Sequence, residues 1–417
     1  MLRTTPKRAF FCGFGALTAL LPVAALAGGC SSSSDAVASP EPGEPGAPGP
    51  GGPSPAPTAS AATVTPPGPA VSTLRVHYAS TSSPAGASFT LRGSGGPLSW
   101  DKGAPVTAAS AGLYTWSSPD VKADLELKPL LGETWSRGPN YHLKAGQTLD
   151  IYPHFFESRG TVTKKYPSFT SHKLPSTRGV WVYLPPTYVE NSESRFGVLY
   201  MHDAQNLFSA ATAFGGVEWQ VDETMDAASE TGAIRETIVV GVENTAARID
   251  ELTPTSDPSY GGGKADQYLA MVIDEIKPRI DKDLRTIATR EQTAVMGSSL
   301  GGLVSAYAGV RRADVFGLVG AMSPSTWWGG RGILGEVTSL PTRPAKPVRV
   351  YVDSGDSGNS NDDVTNTNEL AVRYRNVGYT DQKDLLHVVQ PGAEHNERYW
   401  ASRLPTALHF LLGARPD

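Results

Sequence analysis

The stretch Thr293-Ala-Val-Met-Gly-Ser-Ser-Leu-Gly-Gly-Leu-Val-Ser-Ala-Tyr307 limits the possible folds of this chain more than any other. Thr293 to Met296 is apolar and β-branched enough for a short buried strand, and Leu300 to Tyr307 sets small and apolar side chains at helical spacing. Between them Gly297-Ser298-Ser299-Leu300-Gly301 has the form G-x-S-x-G with Ser299 at its centre. A strand that turns directly into a helix holds such a serine in a strained backbone region and presents its hydroxyl at the tip. Its neighbours must then be small, which Gly297 and Gly301 satisfy, while Gly302 lets the helix lie close to the strand. The free N–H groups of the helix N-terminus favour a developing oxyanion beside Ser299. In a chain with 44 glycines the pentapeptide alone is weak; the strand before it and the helix after it give it meaning.

A chain of 417 residues has room for two domains and further segments. The net charge is −5 and charged residues make up 18%, with none of the basic stripe that marks a nucleic-acid partner. Residues 1–30 have the form of an export signal. Arg3, Lys7 and Arg8 precede an apolar run from Phe10 to Leu26, broken by Pro22 and poorly flanked for a spanning helix. It ends in Leu26-Ala27-Gly28-Gly29-Cys30, which resembles a bacterial lipobox and implies lipidation of Cys30 and a membrane anchor; the alternative is ordinary cleavage nearby. The only two cysteines, Cys12 and Cys30, belong to this segment, so the exported part holds no disulfide and relies on its cores. Residues 31–70 are rich in Ser, then Pro, Gly and Ala, and predict a disordered, partly polyproline II tether. Such a tether extends ~3.1 Å per residue and so could reach up to ~120 Å.

Residues 71–157 carry short β-rich segments at Val71 to Tyr78, Ser88 to Arg92, Gly112 to Trp116, Lys122 to Leu127 and Gln147 to Tyr152, separated by turn residues. That spacing predicts a small all-β sandwich. The order of Leu91-Arg-Gly-Ser-Gly-Gly-Pro-Leu-Ser-Trp100, Tyr114-Thr-Trp116, Leu125-Glu-Leu-Lys128 and Trp135-Ser-Arg-Gly-Pro-Asn140 resembles starch-binding-type carbohydrate modules. The resemblance implies sugar rings stacking on exposed Trp faces; the alternative is that Trp100, Trp116 and Trp135 serve the fold alone.

Residues 158–417 alternate between strand-like and helix-like segments, which predicts an α/β domain with a parallel sheet. Strands are expected at Arg178 to Leu184, Phe196 to Met201, Thr237 to Val242, Thr293 to Met296, Phe316 to Met322, Val348 to Val352 and Leu385 to Val389. Helices are expected at Val217 to Ser229, Lys264 to Ile280, Glu369 to Val377 and Arg398 to Leu412, beside the one after Ser299.

A serine hydroxyl needs a base to take its proton, and the base needs a carboxylate to hold its tautomer. In an α/β-hydrolase these follow in the order serine, acid, histidine. His395 stands between the last strand and the last helix, where this fold places the base, whereas His387 lies inside the strand and His409 inside the helix. The acid is expected on the loop after Val352, which offers Asp353, Asp356, Asp362 and Asp363. Asp362 suits the position best, with Asp363 and Asp356 as rivals and helix capping as the alternative role. The loop lacks the glycine that an EF-hand calcium site requires, and neither metal nor cofactor is expected. One oxyanion donor is the Leu300 N–H; the second is expected from Ala204 or Gln205 in the loop that begins His202-Asp203.

Five segments complete the pattern: Val198-Leu-Tyr-Met-His-Asp-Ala-Gln-Asn-Leu-Phe208, Gly215-Gly-Val-Glu-Trp-Gln-Val-Asp-Glu-Thr224, Met296-Gly-Ser-Ser-Leu-Gly-Gly302, Ser323-Pro-Ser-Thr-Trp-Trp328 and Gly392-Ala-Glu-His-Asn-Glu-Arg-Tyr-Trp400. Across residues 168–413 they resemble the putative esterase family of feruloyl and acetyl xylan esterases, enterochelin-type siderophore esterases and mycolyltransferase relatives. The resemblance implies an α/β-hydrolase that cleaves esters through an acyl-serine, with Ser299 and His395 on the family's positions. The acid position departs, because the family's short G-x-x-E/D is replaced by a longer loop with Gly358 at the direct equivalent. Trp219, Trp327 and Trp328 are expected to line the acyl or leaving-group side. The carbohydrate-type module and the anchor point to an acylated carbohydrate as substrate. A siderophore ester is the rival substrate, and a non-catalytic glycan-binding lipoprotein the rival class.

Overall fold

The computed structural model describes residues 70–82, 87–342 and 344–413. The segment expected to be an export signal, Cys30 and nearly all of the expected tether lie outside these residues.

Residues 72–151 form two β-sheets. In the first, Ser72–His77 pairs antiparallel with Leu113–Ser118 and parallel with Thr148–Ile151, and Thr107–Ser110 closes the other edge. In the second, Phe89–Ser94 and Leu125–Leu131 pair antiparallel, flanked by Ala104–Pro105, Thr134–Trp135 and Tyr141–Leu143. Alternate side chains on a strand face opposite sides. Leu74 and Val76 from the first sheet and Leu91, Leu125 and Leu127 from the second therefore meet in one apolar cluster. Trp116 packs half-buried against it. Trp100 and Trp135 lie outside it with ring centres 6.2 Å apart; Trp135 is 40% exposed and has the Arg92 guanidinium 5.3 Å above its ring.

The remaining residues are built on one eight-stranded sheet. Its strands are β1 (Thr161–Thr170), β2 (Thr177–Leu184), β3 (Gly197–His202), β4 (Thr237–Val242), β5 (Thr293–Ser298), β6 (Leu318–Met322), β7 (Arg349–Gly355) and β8 (Leu385–Gln390), in the order β1-β2-β4-β3-β5-β6-β7-β8. From β4 to β8 all neighbours are parallel, while β1 and β2 are antiparallel. Every residue of β3, β4 and β5 is buried, as expected for strands covered on both faces. On one face lie α2 (Leu300–Arg311), α3 (Trp328–Thr338) and α4 (Val364–Asn376), joined by the helical run at 265–283. On the other lie α1 (Val221–Glu230) and α5 (Glu397–Leu412), which bring Met225, Leu404 and Leu408 onto Leu199 and Met296.

Several elements depart from the sequence-based expectation for physical reasons. The helix expected at Lys264 to Ile280 is α-helical at Ala265–Ala270, π-helical at Met271–Ile276 and α-helical again at Lys277–Asp283. Pro278 lacks an N–H and crowds the preceding turn, and the wider π turn accommodates it. The helix α1 begins at Val221 rather than Val217 because Gln220 is left-handed (φ 54°), which leaves Trp219 in the preceding turn. The edge strand β1 has little apolar alternation and contains Pro167, which is tolerated at an edge interrupted by register shifts.

A buried carboxylate is one of the groups that tie the two β-sheets to the larger sheet. Glu190 is buried at the end of the short helix Pro186–Glu190. It accepts hydrogen bonds from the N–H groups of Phe155 (2.8 Å), Phe156 (2.7 Å) and Glu157 (2.9 Å) and from Tyr78 Oη (2.9 Å). Next to it Asn191 Nδ2 donates to the carbonyls of His77 and Pro153. Buried polar groups must find partners, so this segment is fixed where the strands of 72–151 meet the helix.

Candidate active site

The loops that follow β3, β5, β6, β7 and β8 converge at the carboxyl edge of the parallel strands, where open α/β sheets bind ligands. Ser299 links β5 to α2 with φ 57° and ψ −121°, a conformation rare for a residue with a Cβ. Three backbone bonds hold it there. Its N–H donates to Met322 O (3.0 Å), and its carbonyl accepts from Leu303 N–H (2.9 Å) and Ser325 N–H (3.0 Å). A Cβ at position 297 would stand 2.9 Å from His202 Cδ2, and one at 302 would stand 2.6 Å from Met322 O. Only glycine lets the turn close against both neighbours. The Ser299 hydroxyl lies 3.3 Å from Ser325 Oγ. Leu300 opens α2, so its N–H has no acceptor one turn back within the helix.

His395 and Asp362 meet: His395 Nδ1 is 2.5 Å from Asp362 Oδ1. An ionised carboxylate there holds the proton on Nδ1, so Nε2 is free to accept one. The Trp400 ring stands edge-on to the imidazole, with centres 5.0 Å apart and planes at 86°. The other oxygen of Asp362 accepts from Ser323 Oγ (2.7 Å) and from the Gly355 N–H. Burial alone would raise the Asp362 carboxyl, but the hydrogen bonds from His395, Gly355 and Ser323 outweigh it and hold it below the usual carboxylate range. Beneath it Ser323 Oγ also accepts from Trp400 Nε1 (3.0 Å) and Arg403 Nη2 (2.8 Å). Arg403 Nε in turn sits 2.9 Å from Asp353 Oδ2.

The rival carboxylates have other partners. Asp356 accepts from the Gly392 N–H (2.7 Å), and Asp363 from the Trp327 N–H (3.3 Å) and Asn366 Nδ2 (2.6 Å). Asp353 lies buried under the site with Arg403, Tyr351 and the Ser323 N–H. Residues Ser360 to Asp363 are all left-handed (φ 63°, 50°, 48° and 53°), and Asn and Asp tolerate that region best among residues with a Cβ.

The loop after β3 is locked from below. Asp203 is itself left-handed and receives Arg248 Nε (2.7 Å), Arg248 Nη2 (2.8 Å) and Asn244 Nδ2 (2.5 Å). Burial would raise its carboxyl, yet Arg248 and Asn244 together hold it low. Gln205 Nε2 donates to Asn244 Oδ1 (2.6 Å), and the Asn244 N–H donates back to Gln205 Oε1 (3.2 Å). Burial pushes the His202 imidazole down to about 4, so it is neutral near pH 7; its Nδ1 lies 2.8 Å from Tyr268 Oη. His202 and Asp203 thus hold the loop. Among the described residues no group of three or more His, Cys, Asp or Glu side chains is set to hold a metal ion.

Ser299 and His395 share a cleft of about 600 Å³ with Gln205, Asn206, Arg248 and Trp400. Gln205 lines this cleft, whereas the Ala204 side chain is buried against Gly241. Two of the three expected tryptophan contacts need correcting. Trp219 and Trp328 are each 3% exposed: Trp219 packs on Trp400 from below, and Trp328 donates Nε1 to Thr255 O. Trp327 is exposed beside Tyr260, and its N–H lies against Asp363. Aromatic residues serve core and surface alike, so their spacing in the sequence does not reveal which way they turn. The roles of Trp400, Arg248, Asn244, Ser323 and Arg403 are not legible in the sequence, because they arise from pairings between residues far apart in the chain.

A mixed sheet with this strand order, a strained serine after β5 and an Asp–His pair after β7 and β8 define an α/β-hydrolase. Residues 171–411 match the family described as Putative esterase, and the chain belongs to that family. It is an esterase, a carboxylic ester hydrolase. It is 25% identical over 258 residues to the protein YbbA of Bacillus subtilis, named as uncharacterized, a match that covers 59% of this chain and 96% of YbbA. It is 30% identical over 166 residues to an endo-1,4-beta-xylanase/feruloyl esterase of Xylanibacter ruminicola, covering 38% of this chain and 21% of that one. It is 28% identical over 173 residues to a siderophore enterobactin esterase of Emericella nidulans, covering 36% of this chain and 54% of that one.

If Asp362 holds the imidazole, Asp362→Asn lowers kcat by about 10⁴-fold with little change in KM, because the wrong tautomer then faces the serine. Asp356→Asn and Asp363→Asn keep kcat near the parent value. Steady-state kinetics on a simple ester check this, and a comparable collapse in either rival variant would move the acid to that residue.

Proposed function

We propose that the chain is a serine esterase that removes acetyl or feruloyl groups from an acylated carbohydrate. Contact of His395 Nδ1 with Asp362, in a cleft shared with Ser299, is the observation that supports this most directly. His395 Nε2 takes the proton of Ser299 as Oγ attacks the ester carbonyl. The oxyanion is stabilised by the N–H groups of Leu300 and Gln205, and collapse of the tetrahedral intermediate expels the alcohol with the proton returned by His395. Water activated by the same imidazole then attacks the acyl-serine carbonyl, and Ser299 leaves reprotonated. No cofactor takes part. The polar lining of the cleft by Gln205, Asn206 and Arg248 supports a hydroxyl-rich leaving group. The similarity to a xylanase/feruloyl esterase points the same way.

The first experiment incubates the protein with a fluorophosphonate probe and, separately, with acetylated xylo-oligosaccharide. The parent labels and turns over, and Ser299→Ala does neither. Labelling or turnover that survives in Ser299→Ala would remove Ser299 from the mechanism. A second reading, hydrolysis of a siderophore ester, is supported by the similarity to an enterobactin esterase. A cyclic catecholate triester in the same assay separates the two: faster turnover of the triester than of the sugar ester favours the second reading.

The setting we propose is outside the cytoplasmic membrane, anchored through lipidated Cys30, on the pattern of residues 1–30. Globomycin then blocks maturation of the expressed precursor, and unchanged processing would replace the anchor with ordinary cleavage. The sheets of 72–151 are proposed to hold polysaccharide on the Trp100–Trp135 pair, of which Trp135 is exposed and Trp100 half-buried. Retention on insoluble xylan or starch is expected to fall in Trp135→Ala; a parent protein that is not retained on either leaves these sheets a structural role alone.

A further inference from the structure

Phe214 is 77% exposed, more than any other large apolar side chain among the described residues, and it stands on the rim of the cleft that holds Ser299. A single exposed apolar side chain is ordinary on a protein surface, but this one stands at the mouth of the cleft, where a group bound beside Ser299 would cover it. The backbone beneath it is fixed. The Phe214 N–H donates to Asn206 Oδ1 (2.9 Å), and Thr212 Oγ1 donates to the Gln205 carbonyl (2.8 Å). The Trp219 N–H closes the same turn on the Asn206 carbonyl (2.9 Å). Gly215 and Gly216 follow with φ 64° and 72°, and a Cβ on either would meet nothing within 4 Å, so this side of the loop is open.

The groups around the ring indicate what would cover it. Arg248 uses Nε and Nη2 on Asp203, which leaves Nη1; Asn206 uses Oδ1 on the Phe214 N–H, which leaves Nδ2. Thr212 and Glu397 add a hydroxyl and a carboxylate to the same cleft. One apolar face among amide, guanidinium, hydroxyl and carboxylate groups suits a ring with an apolar C–H face and a polar edge. A flat aromatic acyl group would also cover Phe214, but its edge carries fewer hydrogen-bonding groups than the hydroxyls around a pyranose, so it satisfies fewer of these polar side chains.

We propose that Phe214 is a specificity-determining residue on which a pyranose or similar sugar ring of the leaving group lies. The proposal rests on the reading of this cleft as the site of sugar-ester hydrolysis. Because the Phe214 loop is hydrogen-bonded to Gln205 and Asn206, a sugar seated there also steadies the segment that supplies the Gln205 N–H. Binding energy from a remote part of the substrate then acts in the transition state as well as in the complex.

The test compares kcat/KM of the parent, Phe214→Ala and Phe214→Trp on acetylated xylobiose, methyl acetate and methyl ferulate, with thermal melting as a control of folding. The alanine variant is expected to lose about tenfold more on the sugar ester than on methyl acetate, and the tryptophan variant to retain the parent preference. Equal loss on all three esters, no loss, or the greatest loss on methyl ferulate overturns the proposal, as does a parent that does not prefer the sugar ester to methyl acetate. Turnover that persists in Ser299→Ala instead overturns the serine mechanism itself, a result the Phe214 variants cannot mimic.

Discussion

Asp362 is a fully buried carboxylate kept ionised, and the geometry at the edge of the sheet depends on it. Taking an ion out of water costs several kcal/mol unless its oxygens are well partnered. One oxygen has the His395 ring, and the other has the Ser323 hydroxyl and the Gly355 N–H. Arg403 and Asp353 form a second buried layer below, with Ser323 as the link. Each partner comes from a different part of the sheet: Ser323 after β6, Gly355 at the end of β7, His395 after β8 and Arg403 within α5. The carboxylate therefore joins four segments, and the imidazole inherits its orientation from all of them.

A matching arrangement stands across the cleft. Asp203 receives a two-pronged contact from Arg248 and a third hydrogen bond from Asn244, and Asn244 in turn holds both ends of the Gln205 amide. Two buried or nearly buried acids, each satisfied on every side, thus flank the strained Ser299 turn. Backbone strain persists only where its surroundings over-determine it, and here Met322, Leu303 and Ser325 supply the bonds that do so.

Much of this was legible in the chain. Val198 to Met201 and Thr237 to Val242 are continuous apolar runs because both faces of a central parallel strand are covered, and their burial follows. The glycines at 297 and 302 signal close approach, and the structure gives the atoms approached, His202 Cδ2 and Met322 O. Less legible was the loop after β7. Its Ser-Asn-Asp-Asp composition reads as a surplus of possible acids, whereas those residue types also answer the need of four successive left-handed residues. The tryptophans show the same limit from the other side: large rings announce burial or contact without saying which, and Trp219 and Trp328 turned to the core.

The sequence by itself determined the alternation of strands and helices, the sharp turn at Ser299 and the place of His395 before the last helix, because these are set by local periodicity and by the steric demands of neighbouring residues. Tertiary structure alone decided that Asp362 rather than Asp356 or Asp363 touches His395, that the Gln205 side chain lines the cleft while that of Ala204 is buried, and that Phe214 is left open at its rim. Those outcomes depend on the twist of a left-handed loop and on contacts between residues tens to hundreds of positions apart. Such distances through space are not recorded in the order of residues along a chain.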